Sequence, residues 1–200
     1  MIVIDGKNSN LSVNNFANLE DLLTNVMADR EMNQRIVTDV LVDEEAFSEI
    51  YPHQAEDMET NDINKVEIKT MDTKDMAVNI TRELYKVITL MSKGGIQVAE
   101  YFRQADDAEA LDMYQDLLEV TRDFMGMISL LRDEFRLTRN PDMEKAVKRL
   151  SELLSEMIEV QENEDWVLLS DLIEYEFLPL VDSWKKIVAG IRDQLKNVKQ

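Results

Sequence analysis

The last helical stretch constrains the fold of this chain most strongly. Residues 163–197 read NEDWVLLSDLIEYEFLPLVDSWKKIVAGIRDQLKN and hold both tryptophans, Trp166 and Trp184, 18 residues apart. At about 100° per residue this spacing is a whole number of helical turns, so the two side chains point the same way on a regular helix. Further apolar residues fall within about 60° of that direction: Leu169, Ile173, Phe177, Leu180, Ile187, Ile191 and Leu195. The pattern predicts a long closing helix with an apolar stripe for earlier helices to pack on.

Three earlier segments also repeat apolar residues at helical period. The first begins near Asp72 and is interrupted by Gly94-Gly95, a pair that indicates a bend or a close helix contact. The second begins near Asp106, and the third follows the capping pair Asn140-Pro141. The second carries a heptad seam of Ala110, Met113, Leu117, Val120, Phe124, Met127 and Leu131. Four amphipathic segments with short joints predict an antiparallel four-helix bundle over residues 72–200.

Residues 1–71 have a different period and predict mixed strand and helix. The β-branched run MIVIDG, residues 1–6, leads into turn-forming residues 5–10, and Leu11–Val13 resumes an alternating pattern, which is typical of a hairpin. A helix capped by Asn18 follows, and then strands over Arg35–Asp43 and Lys65–Thr70. The boundary between the two predicted domains lies at Met71-Asp72, where the period changes from 2 to about 3.6.

The order strand, strand, helix, strand, strand in residues 1–71 resembles the β-grasp fold of ubiquitin-like and sulfur-carrier domains. The fold class is therefore expected to be α+β, with a small β-grasp-like domain before the bundle. Members of that family which conjugate or carry sulfur act through a free C-terminal Gly-Gly. Here the segment continues into a helix, and the chain ends Val198-Lys199-Gln200, which argues against such a role.

Composition limits the possible partners. The net charge is −19, from 41 acidic and 22 basic residues. Nucleic acids and anionic lipids bind clusters of Lys and Arg, so neither is expected as a partner. The absence of cysteine excludes disulfides and thiolate chemistry. No signal-peptide or membrane-span pattern occurs in the sequence, and a cytoplasmic location is expected.

No catalytic, cofactor or metal pattern is recognisable. A di-iron site in a helical bundle needs Glu-x-x-His motifs, and the one histidine, His53, lies in an acidic stretch before the bundle. Residues 43–62 lack the ligand spacing of a calcium loop. Ser183-Trp184-Lys185-Lys186 matches Ser-x-x-Lys without the companion motifs of that enzyme class. A non-enzymatic protein without cofactor or metal is expected.

The closing helix has a second apolar side over its first half. Its members point within about 60° of the direction opposite the tryptophans: Leu168, Leu172, Tyr175, Leu178 and Pro179. An exposed apolar face of this size needs a cover, which is the N-terminal domain, a second copy or a protein partner. These five residues are the predicted partner-binding site. Pro179 also predicts a kink, because it removes a backbone hydrogen bond to the carbonyl of Tyr175.

The bundle resembles the small acidic flagellar and type III secretion chaperones of bacteria. The resemblance rests on the acidic, cysteine-free composition and on the segment DWVLLSDLIEYEFLPLVDSW, residues 165–184. It implies a protein-binding module, chaperone or adaptor, that holds an export substrate as helices along the bundle. The alternative is a structural homo-oligomer in which the second apolar face of the last helix is the dimer contact.

Overall fold

The computed structural model describes residues 1–48, 54–138 and 140–197, apart from the side chain of Glu31. It has the predicted α+β architecture, a five-stranded sheet followed by helices. The chain forms two compact units, Met1–Met76 and Ala77–Gln200. This division lies a few residues after the predicted boundary at Met71-Asp72.

The first unit is built on one small sheet. Its strands are β1 (Ile2–Ile4), β2 (Lys7–Asn8), β3 (Arg35–Val42), β4 (Glu45–Ala46) and β5 (Val66–Asp72). They lie in the order β2-β1-β5-β3-β4. Strands β1 and β5 are parallel, and the other neighbouring pairs are antiparallel. The predicted strands at Arg35 and Lys65 are present within two residues of their predicted bounds.

The N-terminal hairpin is shorter than the sequence pattern predicted. The chain reverses at Asp5-Gly6, where both residues have positive φ, 48° and 78°. Two-residue loops of this kind match the right-handed twist of paired strands, and Asp-Gly favours them. The prediction of a second strand at Leu11–Val13 is wrong, because Val13–Asn15 forms a 3₁₀ turn with Val13 buried.

Helix α1 (Leu19–Met27) begins at the predicted cap. The Asn18 side chain accepts a hydrogen bond from the Asp21 amide at 2.9 Å. Leu19, Leu22 and Val26 are buried and belong to the core of the first unit. The core also contains strand residues, among them Ile2, Val40, Val66 and Ile68. An amphipathic helix thus covers the apolar side of the sheet.

Five α-helices follow from Thr73 onwards within the described ranges. They are α2 (Thr73–Arg103), α3 (Asp107–Glu134), α4 (Pro141–Glu162), α5 (Trp166–Leu172) and α6 (Leu178–Asn197). Asn140 caps α4 as predicted, because its side chain accepts hydrogen bonds from the Asp142 and Met143 amides. The count is five because the predicted closing helix is divided by a π turn, Ile173–Phe177.

A π turn lies just before Pro179, the position of the predicted kink. The amide of Leu178 donates to the carbonyl of Ile173, five residues earlier. Pro179 has no amide hydrogen, so neither the carbonyl of Tyr175 nor that of Glu174 receives a hydrogen bond from it. One extra residue is accommodated in the turn, and the helix continues on the other side of it.

The apolar stripe of the closing helix is buried, with a change of phase at the π turn. Leu169, Ile173 and Phe177 line the core before the turn ends, and Trp184, Ile187, Ile191 and Leu195 line it afterwards. Val181 and Val188, which fall within about 60° of the same direction but were not named in the predicted stripe, are buried too, while Leu180 is only half-buried. Trp166 is half-buried and stacks on Phe102 of α2 with ring centroids 5.3 Å apart. Trp184 meets Phe124 of α3 edge to face at 5.5 Å.

The glycine pair of α2 marks a close helix contact, and the helix runs through it without interruption. A Cβ atom added to Gly95 would lie 2.8 Å from Cδ2 of Leu178, well inside contact distance. A Cβ atom added to Gly94 would have only Leu117 nearby, at 3.9 Å. The two adjacent glycines therefore have different roles, since only Gly95 leaves room for the last helices.

Gly94→Ala and Gly95→Ala are expected to differ in stability. Alanine in a helix is favoured over glycine by about 0.5–1 kcal/mol, and Gly94→Ala should gain this amount. Gly95→Ala should be less stable than Gly94→Ala by on the order of 1 kcal/mol, because Leu178 must move. Chemical denaturation measures both values. In a Leu178→Ala background the difference should disappear, and equal effects of the two substitutions with Leu178 present would contradict this contact.

The core seam of α3 is shifted by one residue from the predicted heptad. Ala110, Leu117, Phe124 and Leu131 are buried as predicted. Between them the buried residues are Tyr114, Thr121 and Ile128. Met113, Val120 and Met127, which the sequence assigned to the seam, are only partly buried at its edge. That part of the seam prediction is wrong, because spacings of 3, 4 and of 4, 3 fit the same heptad period.

Tyr114 is a buried phenol with an unsatisfied hydroxyl. Its side chain is 2% exposed and packs edge-on against Phe102, with centroids 6.4 Å apart. Its hydroxyl has no hydrogen-bond partner among the described residues. Burial raises the pKa of Tyr114 to about 12. The phenolate is thus strongly disfavoured in the folded protein.

The stability of the protein should consequently fall as the pH rises from about 10 to about 12. In this range an unfolded chain loses the Tyr114 proton near its usual pKa of about 10, whereas the folded chain retains it. Tyr114→Phe should remove this part of the decline and change the stability at neutral pH by no more than about 1 kcal/mol. Denaturation between pH 8 and 12 measures the effect, with exposed Tyr175→Phe as the control. An identical decline in both variants would contradict this role of Tyr114.

Candidate functional site on the last helices

The five residues of the predicted partner-binding site do not share one surface. Leu168, Tyr175 and Pro179 are exposed, the first two by 44% and 64%. Leu172 is 8% exposed and belongs to the core of the second unit, so its placement on an outer face is wrong. Leu178 is half-buried and packs against the same core beside Gly95. The neighbouring Val167, which the helical projection did not include, is 68% exposed.

The π turn explains this redistribution. A projection at a constant 100° per residue assumes one regular helix from Trp166 to the end. The extra residue in Ile173–Phe177 rotates the residues before the turn relative to those after it, so Leu172, which a constant angle places away from Trp184, lies on the buried side. Leu172 and Ile173 are then both inside, whereas Tyr175 is exposed, as the regular projection also predicted. The outer face of the last helices consists of four exposed residues: Val167, Leu168, Tyr175 and Pro179.

Leu172→Ala and Leu168→Ala should separate these two environments. Truncation of buried Leu172 should cost about 2–5 kcal/mol of unfolding free energy, because it leaves a cavity in the core. Leu168→Ala should change the stability by no more than about 0.5 kcal/mol, since the side chain is largely in solvent. Urea denaturation of both variants measures the difference. Similar small effects of both substitutions would show that Leu172 faces outward after all.

Tyr175 is held in place by an arginine from α2. The Arg103 guanidinium carbon lies 5.9 Å from the centroid of the Tyr175 ring. The same guanidinium donates to Asp171 at 2.9 Å and to Glu174. These hydrogen bonds raise the pKa of Arg103 above its usual value. An exposed cation–π contact contributes about 0.5–1 kcal/mol and restricts the ring to one orientation.

A second ion pair flanks the π turn on the side of α4. Arg149 donates to Glu176 at 2.8 Å. Glu174 and Glu176 thus pair with arginines of α2 and α4 respectively, so the π turn lies between these two helices. All groups of these pairs are 37–49% exposed, and such pairs contribute at most about 1 kcal/mol each.

The arginine partners were missed by sequence reasoning, although a signal for them exists. Residues 162–184 contain seven acidic side chains and no Lys or Arg. Asp182 pairs with Lys185 of the same helix, whereas Asp171, Glu174 and Glu176 pair with arginines of neighbouring helices. Arg103 ends α2 and Arg149 lies in α4, but which of the 22 basic residues would reach the last helices depends on helix registry.

Asp171, Glu174 and Glu176 are each engaged with an arginine. Groups of His, Cys, Asp or Glu placed to hold a metal ion do not occur in the ranges that the structure describes. His53 lies outside those ranges. Within them, none of the helices combines the length and apolar character that a bilayer crossing needs.

Two family models match the chain. Residues 1–71 match a model described as domain of unknown function DUF8043. Residues 79–187 match a model described as domain of unknown function DUF8042, and this match covers more than half of the 200 residues. No curated protein and no solved structure matches the chain.

Proposed function

The chain belongs to the DUF8042 family, and from the surfaces of the structure we propose that it is a non-enzymatic protein-binding module. The observation that carries the proposal is Tyr175, which is 64% exposed on a π turn and fixed by Arg103. Tyrosine and arginine are enriched in protein interfaces, where an ordered aromatic ring loses little entropy on binding. Single π turns within α-helices are frequent at functional sites.

The apolar neighbours of Tyr175 support the same proposal. Val167 and Leu168 are 68% and 44% exposed on the same continuous helical segment. A net charge of −19 opposes nucleic acids and anionic lipids as partners. A protein surface that offers apolar contacts and cationic groups is the partner class that fits. The use of the module as a chaperone or adaptor for a helical export substrate is part of this proposal.

We also infer a finer architecture for the two units. The order β2-β1-β5-β3-β4 with a parallel β1/β5 pair supports a β-grasp assignment for the first unit. Trp166–Asn197 is helical throughout, which supports treating α5, the π turn and α6 as the fourth helix of an antiparallel bundle. The boundary of the two domains is proposed at Met71-Asp72.

The outer face is tested with Leu168→Ser/Tyr175→Asp. Both side chains are exposed, so this variant should retain its helical circular dichroism and most of its stability. The matched control is Leu130→Ser/Tyr85→Asp, which changes a leucine 59% exposed and a tyrosine 40% exposed elsewhere on the helices. Tagged full-length protein of each type is used for affinity capture from the native cell, with quantitative mass spectrometry.

The proposal predicts that the wild type and the control capture the same partner proteins. The outer-face variant should capture these partners at least about tenfold less, which corresponds to a loss of about 1.4 kcal/mol in binding free energy. Size-exclusion chromatography of the purified proteins distinguishes self-association. A wild-type oligomer that the outer-face variant converts to a monomer would favour the homo-oligomer over a separate partner. Unchanged capture and unchanged mass in the outer-face variant would contradict the proposal.

A further inference from the structure

An open apolar groove runs between α2 and α3 and shares no residue with the outer face. It has a volume of about 450 Å³. Met91 and Leu117, which are 2% and 5% exposed, belong to both the core and the groove lining. Leu90, Met113 and Val120 complete its apolar lining, and Leu90 is 58% exposed. The groove therefore presents an apolar surface that the helices of the unit leave uncovered.

Two features of the sequence keep this groove open. The shift of the α3 seam puts Tyr114 and Thr121 in the core and leaves Met113 and Val120 at its edge. Gly94 of α2 lines the groove without a side chain, and a Cβ atom there would touch only Leu117. Methionine side chains adapt to different apolar partners, so Met91 and Met113 suit a surface that accepts another helix.

The charges at the groove have one sign. Its three charged lining residues are Asp116, Glu119 and Asp123. Arg122 pairs with Glu119 and Asp123, at 3.1 and 3.2 Å, and partly neutralises them. Asp116 is exposed and lacks such an arginine partner among the described residues. Cationic groups on an occupant would therefore find partners at the rim of the groove.

The apolar lining and the acidic rim of the groove together indicate which kind of molecule can bind there. A second copy of the chain carries a net charge of −19 and would bring its own acidic rim against this one. Nucleic acid and anionic lipid are repelled for the same reason. An amphipathic helix places apolar residues at i, i+3, i+4 and i+7 into such a groove and leaves its flanks for charge pairing. We propose that the α2–α3 groove binds a basic amphipathic helix of a partner protein.

The test uses three designed peptides of about 18 residues, which is about five helical turns. The first has leucines at i, i+3, i+4 and i+7 and lysines on the flanks. The second replaces each lysine with glutamate. The third has the composition of the first in an order that destroys the helical period. Fluorescence anisotropy with the full-length protein measures the dissociation constant of each at low and at moderate salt.

The basic amphipathic peptide should bind at least about tenfold more tightly than either of the other two, and salt should weaken it. Leu90→Ser should weaken its binding at least about tenfold, while Leu130→Ser, at a position of equal exposure outside the groove lining, should not. Asp116→Lys should weaken it more than Asp112→Lys, which makes the same change of net charge on the same helix. Leu168→Ser/Tyr175→Asp should leave it unchanged, so this test is independent of the outer face.

Several results would overturn the proposal. Equal binding of the basic peptide and its reordered version would mean that net charge alone attracts them. Equal effects of Leu90→Ser and Leu130→Ser, or of Asp116→Lys and Asp112→Lys, would place the peptide elsewhere. A wild-type dimer that Leu90→Ser dissociates would make a second copy the occupant. Absence of saturable binding by any peptide would show that the groove is not a docking site for this class of helix.

Discussion

The close approach of α2 to the last helices at Gly95 is the contact on which the registry of the second unit depends. Leu178 occupies the space that a side chain at this position would fill, with 2.8 Å between its Cδ2 atom and an added Cβ. The same added Cβ would lie 3.6 Å from Cγ2 of Ile173. The two residues are joined by the π hydrogen bond from the Leu178 amide to the Ile173 carbonyl. Gly95, the extra residue of the π turn and Pro179 thus all lie at or next to this helix contact.

The consequences of this registry reach both the core and the surface. Leu172 and Ile173 are buried on consecutive positions, which adds apolar contact where a regular amphipathic helix would turn outward. Tyr175 emerges into solvent, where Arg103 meets its ring and the carboxylates of Asp171 and Glu174. Apolar burial supplies most of the stability, and these exposed ion pairs mainly fix orientation. The same registry therefore orders the residue on which the proposed function rests.

Much of the fold could be predicted because it follows from local chemistry. The caps at Asn18 and Asn140, the strand from Arg35 and the change to helical period depend on residues close in sequence. Strands β2 and β4 have two residues each and no period to detect. The α3 seam was ambiguous, since Met113 and Tyr114 both fit a heptad and only packing decides between them. Leu172 was misplaced because a constant 100° per residue has no place for a π turn.

The most direct measurement is the hydrogen bond that defines the π turn. Through-hydrogen-bond scalar couplings in isotope-labelled protein identify the carbonyl that accepts from the Leu178 amide. The structure predicts a coupling to the carbonyl of Ile173, five residues earlier. A coupling to Glu174 would show a regular α-helix through this segment. Leu172 would then turn towards solvent, and the change of helical phase that buries Leu172 and Ile173 together would be contradicted.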